Sequence, residues 1–145
     1  MQLQSQLAKE DFEKYVLKVV LATFENGGTA SKLDTYELSP PVDAWEFPKY
    51  PNRTVILPPE ANLLAELKEF VLANEPFLRE PDCWLGTWIH PQTGCCYLDI
   101  TMRCDELDEA HRLSLEFSEG AGRRIVALYN SWRKETVYLK GKTLK

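Results

Sequence analysis

Six side chains able to hold a metal or to act as nucleophile and base fall within one segment: Cys83, His90, Cys95, Cys96, Cys104 and His111. A structural zinc site pairs its ligands at Cys-x2–4-Cys spacing, and that pairing is absent. Adjacent Cys95 and Cys96 point to opposite sides of an extended strand, so they do not converge on one ion. A Cys–His hydrolase needs a thiolate beside an imidazole, with oxyanion donors near both. His90 and Cys95 or Cys96 approach across a short turn, but the sequence supplies none of the remaining parts. The four cysteines therefore read as small buried hydrophobes and surface thiols. The opening MQLQSQLAKED lacks a signal-peptide pattern, so free thiols are expected.

The carboxylates give a second set. Asp99 stands in mid-strand between Leu98 and Ile100, where the expectation is a structural partner: an element's N-terminus, or an arginine such as Arg123 or Arg124. A general-base role would need a pocket and a shifted pKa. Asp105, Glu106, Asp108 and Glu109 crowd the start of a helix, where negative charge offsets the macrodipole without any metal. Gly27-Gly28 and Gly120-Ala121-Gly122 match no phosphate-binding fingerprint, although Gly122–Arg124 suits one anion. No cofactor is implied.

Charge is the third signal. The 145-residue chain carries a net −5, yet residues 120–145 hold seven basic residues against one glutamate, a local +6 that leaves −11 elsewhere. Arg123, Arg124, Arg133 and Lys134 flank Tyr129 and Trp132, a cation–aromatic mixture that suits an acidic protein surface or a single-stranded nucleic acid. The acidic remainder disfavours nucleic acid, because phosphate neutralisation drives most such binding. Trp132 at a turn tip is hard to explain as core. Trp45, Phe47 and Tyr50 lie in a proline-bounded stretch, 29–53, and are too costly to leave in water. They act either as a clamp inserted into the domain or as a recognition arm, in which Trp45 and Tyr50 would join the partner-binding set.

The elements that must position these residues centre on Trp84–Arg103, which reads as one β-hairpin. Pro91 and Gly94 suit a four-residue loop built on a type I turn. Leu85, Thr87 and Ile89 share one face, opposite Trp84, Gly86, Trp88 and His90. On the return strand, Cys96, Leu98, Ile100 and Met102 oppose Tyr97, Asp99, Thr101 and Arg103. One face is core; the other is aromatic and polar, suited to a loop, a helix or a partner. The run Trp88, Pro91, Thr93, Gly94, Tyr97, Leu98, Asp99, Ile100, with an acidic helix and a strand after it, resembles small uncharacterised proteins of phages and other mobile elements. The resemblance covers residues 84–130. It implies the order strand–strand–helix–strand and, by association, an accessory or anti-defence role; it assigns no catalytic residue.

Around the hairpin, periodicity predicts helices over 5–24, 60–74 and 106–118, with Ser5 and Asp105 as caps and Pro76 ending the second. Leu17, Val20 and Leu21 widen the first helix's apolar surface beyond one stripe, which predicts a sandwiched helix or a dimer contact. Lys32–Leu38 suits a short edge strand and Thr54–Leu57 another strand. Strands at 124–129 and 136–140 form a second hairpin beside the first. The expected protein is one α+β domain over 1–145: three helices on a mostly antiparallel sheet of two hairpins (84–103 and 124–140), with the Pro-rich arm 29–53 along an edge. No apolar run approaches the ~20 residues of a membrane span, and a cytosolic setting is the default. The function expected is non-enzymatic binding of another protein, or of a second copy. Single-stranded nucleic acid is the alternative, and a thiol- or metal-dependent enzyme the third reading.

Overall fold

The computed structural model describes the backbone of residues 2–139 and the side chains of 8–139. Its first element is α1 (Gln2–Asn26), which runs through Ser5 instead of being capped there. Gly27 ends it at φ +82°, a left-handed conformation that glycine adopts without strain. Strands β1 (Gly28–Lys32), β2 (Glu37–Leu38) and β3 (Trp45–Pro48), a 3-10 turn at Pro51–Arg53 and β4 (Val55–Leu57) come next. Helix α2 (Leu63–Leu78) precedes the hairpin β5 (Trp84–Ile89) and β6 (Cys96–Cys104). Helix α3 (Leu107–Ala121) leads to β7 (Ala127–Asn130) and β8 (Glu135–Tyr138). Lys140, Lys142 and Lys145 lie outside the described residues.

The fold is α+β with an antiparallel sheet in the order β2-β1-β5-β6-β3-β7-β8, and β4 also pairs with β6. The hairpin is as its turn chemistry requires. Gly94 takes φ +75°, and the His90 N–H donates to the Cys95 carbonyl at 2.9 Å. The Pro-rich arm lies along an edge only in part: β2, within the expected edge strand 32–38, ends the sheet beside β1. Its segment β3 is inserted in the sheet, pairing with β6 on one side and with β7 on the other. The two hairpins are therefore not neighbours; β3 separates them. This insertion is compatible with proline because Pro48 closes β3, beyond the two residues that pair with β7.

Two helix boundaries differ for local reasons. Helix α2 begins at Leu63 and not at residue 60, because Asn62 caps it, its side chain accepting from the Ala65 N–H at 3.1 Å. The helical conformation breaks at Asn74, at the expected end, where Nδ2 donates to the Phe70 carbonyl at 2.8 Å, and a second segment follows with Pro76 in its first turn, where no N–H is needed. In α3 the cap position falls on Glu106, one residue after the expected Asp105, with no side-chain cap bond.

Strand alternation separates the two faces. Leu85, Leu98 and Ile100 face α1 and α2, in one core with Val16, Val19, Leu67 and Phe70. Trp45, Phe47 and Leu128 form a second core on the same side, under α3. All three helices thus cover one face. The other face is concave: the sheet curls until Tyr138 on β8 lies 6.4 Å, ring to ring, from Trp88 on β5, four places away in the strand order. This uncovered trough carries the polar alternates.

Candidate functional site

Register decides what meets in the trough. Gly86 pairs with Asp99, Trp88 with Tyr97 and Trp84 with Thr101, while Glu46 pairs with both Arg103 and Tyr129. A cross-strand ladder results. Lys32 Nζ lies 3.8 Å from the centre of the Trp84 ring, and the Arg103 guanidinium carbon lies 4.2 Å from it. Arg103 also donates to Glu46 at 3.0 Å and to Ser39 at 2.7 Å. Burial raises the Glu46 carboxyl above its ordinary range, with Arg103 opposing the shift. Gly86 is required here, since a Cβ at this position would fall 1.9 Å from Thr101 Oγ1.

Beyond the ladder, a cavity of about 90 Å³ opens between β3, β5, β6 and β7. Asp99 lies in it. One carboxylate oxygen accepts from the Thr54 hydroxyl at 2.5 Å; the other takes no hydrogen bond from the described residues. Arg123 donates to the Thr54 carbonyl at 2.6 Å, close enough to act on Asp99 without forming an ion pair with it. Burial pushes the Asp99 carboxyl up to about 6, against the Thr54 hydrogen bond and the Arg123 charge. Trp88 and Tyr97 meet at 5.3 Å and 57° to form an aromatic corner of the same cavity. A wider groove of about 520 Å³ shares Ala30, Glu46 and Tyr129 with it and extends to Glu25, Ser131 and Lys134. The combined cleft offers stacking surfaces, a buried carboxylate and guanidinium donors, which is chemistry for holding a polar ligand.

The residues singled out from the sequence divide into three groups. Arg123, Arg124 and Tyr129 line the cavity, and Lys134 lines the groove, so four of them share one cleft. Trp132 and Arg133 occupy the turn between β7 and β8, where Trp132 is 66% exposed. That turn is held firmly. The Trp132 N–H donates to the Val42 carbonyl, the Arg133 N–H to Asn130 Oδ1 and Asn130 Nδ2 to Asp43. Arg133 also pairs with Asp43 at 2.9 Å. Trp45 and Tyr50 belong elsewhere. Trp45 is 2% exposed under α3, which makes it a clamp and corrects its assignment to the partner-binding set. Tyr50 is half-buried against Phe77 and donates to Glu80, so its hydroxyl is already engaged.

The metal and thiol candidates are also placed. Glu80, Asp82 and Cys83 lie close enough together to hold an ion, but the Lys49 ammonium sits among them, 2.8 Å from Glu80 and 3.0 Å from Asp82. Hydrogen bonds from Lys49 hold both carboxyls below their ordinary values. Burial pushes the Cys83 thiol up to about 12 and Cys96 up to about 11, so both stay protonated near neutrality. His90 is buried in a ring cluster with Trp88, Tyr97 and Tyr138, and its Nδ1 accepts from the Gln92 N–H at 3.2 Å.

Sequence reasoning missed Glu46, Thr54 and Trp84 as site residues. The signal for Glu46 was present, because Trp45-Glu46-Phe47 alternates as a strand does; the surrounding prolines hid it. No protein-family model matches the chain, and neither a curated protein nor a solved structure matches it.

Proposed function

We propose that this protein is a non-enzymatic binding module that holds a segment of another protein in its trough, with the β7–β8 turn as the outer anchor. The observation that carries this reading is Trp132. A large indole left 66% exposed on a turn fixed by backbone and side-chain hydrogen bonds is a preorganised contact, and ordering it on binding costs little. Ser131 and Lys134 of the same turn border the groove, which joins the anchor to the cleft. An accessory or anti-defence role for a mobile element is the setting the hairpin resemblance suggests.

Single-stranded nucleic acid is the second reading, favoured by Arg123 and Arg124 beside Trp88 and Tyr97. Asp99 and Glu46 in the same trough weigh against it, since both repel phosphate when ionised.

The test is affinity capture from the source cell's lysate by wild type and by Trp132→Ala, each with and without nuclease. The expected result is a stoichiometric protein that survives nuclease and is lost with Trp132→Ala, while the thermal midpoint changes by less than about 2 °C. Capture abolished by nuclease selects nucleic acid. Equal capture by both proteins, or unfolding of the variant, defeats the reading.

A further inference from the structure

The trough is not the only unpartnered surface. On α1, Leu17, Leu21 and Phe24 are 47%, 59% and 64% exposed. Their i, i+4, i+7 spacing puts them on one stripe about 10 Å long. The stripe lies away from the core side of α1, where Tyr15, Val16, Val19 and Thr23 are buried against the sheet and α2. Isolated exposed apolar residues need no explanation, but three on consecutive turns of one helix form a contact surface.

We propose that this stripe pairs with a second copy of the chain, as an antiparallel α1–α1′ contact whose two-fold axis passes between Leu21 and Ala22. The charges beside the stripe select this arrangement. Lys18 and Glu25 are both exposed, on the same flank, two turns apart and equidistant from that axis. An antiparallel two-fold brings each flank against its own equivalent, so Lys18 meets Glu25 of the second copy, twice. The same axis interleaves the apolar side chains in the order Leu17, Phe24′, Leu21, Leu21′, Phe24, Leu17′, with large groups falling between large groups. A parallel two-fold pairing would set this flank against the opposite flank of the second copy, so Lys18 and Glu25 would not meet. The pattern is therefore self-complementary in one direction only.

The size of the surface sets the strength. Three half-uncovered side chains supply on the order of 300 Å² per copy, against ~800 Å² per partner in a stable complex. The dimer is a reversible, concentration-dependent one. The apolar stripe lies on the side of α1 away from the sheet, while Glu25 at its end also borders the groove; chain mass alone reads the dimer, so its test is separate from that of the function proposed above.

Sedimentation equilibrium from about 1 µM to 1 mM tests it. Wild type is expected to move from one chain mass towards two. Leu21→Glu is expected to remain a single chain throughout, with Leu17→Glu as an independent second variant, and the circular dichroism melt of each reports whether folding is intact. Lys18→Glu should weaken association about five- to tenfold, and Lys18→Glu with Glu25→Lys should restore it. A wild type that stays a single chain at 1 mM overturns the proposal. So does association that persists in both folded glutamate variants, or a charge swap that recovers nothing.

Discussion

The same strands build two unlike surfaces. Towards the helices, Leu85, Leu98 and Ile100 are almost entirely dry, in a core of aliphatic side chains with the Tyr15 and Phe70 rings. One residue along each strand, Trp84, Asp99, Thr101 and Arg103 face a trough that no helix of the described residues covers. The dry face is held by shape and dispersion, which tolerate little change in volume. The trough is held by paired charges and stacked rings, which respond to pH and to what enters. Stability and binding have thus been assigned to opposite sides of one sheet, with strand alternation separating them.

The largest effect that sharpens this contrast is on the dry face. Ile100→Ala is expected to destabilise the protein by about 2–5 kcal/mol, because the cavity left beneath α1 and α2 cannot collapse. Urea unfolding measures it, and a cost below about 1 kcal/mol would mean that this face is not the principal support. In the trough the effect is smaller and depends on pH. Asp99 holds its proton more tightly when folded, near pH 6, than at its ordinary value of 3.8, so ionising it opposes folding. Its contribution is fully present below about pH 4 and is lost as pH rises through about 6. The stability of Asp99→Asn relative to wild type should therefore increase from pH 4 to pH 7.5 by on the order of 2 kcal/mol, as read by unfolding at the two pH values. A pH-independent difference would place the carboxylate in open water. The smallest effect is Arg103→Lys, which keeps the charge but loses the planar contact with Trp84 and the forked reach to Glu46 and Ser39. A loss of about 1 kcal/mol is expected, and a neutral result would show that charge alone stabilises the ladder.

The hairpin was legible in the sequence because Pro91, Gly94 and the alternation on both sides agree. Its polar face was legible as well: of the two structural partners open to Asp99, an element's start or an arginine, it takes a hydrogen bond from Thr54, just before β4, and, among the described residues, no ion pair. The placement of β3 was not legible. Four prolines between residues 40 and 51 signal local stiffness, and only long-range pairing with residues near 102 and 130 makes a strand of the four residues among them. Trp45 stayed open between clamp and recognition arm for the same reason, and the interior strand makes it the clamp. Pro76 marked the break near residue 74, where Asn74 leaves helical geometry; the resumption of helix through Leu78 was not legible, because proline is tolerated in the first turn of the new segment.

The insertion of β3 also constrains how the molecule assembles. A strand from the first third of the chain must wait for residues 101–104 on one side and 129–130 on the other before either of its edges is satisfied. Neither edge can be closed by a local hairpin, so the loop-closure cost comes before the reward, and folding should be slow for a chain of this size. During synthesis, everything up to α3 leaves the ribosome with one edge of β3 still unpaired, and the sheet closes only when nearly the whole chain is available.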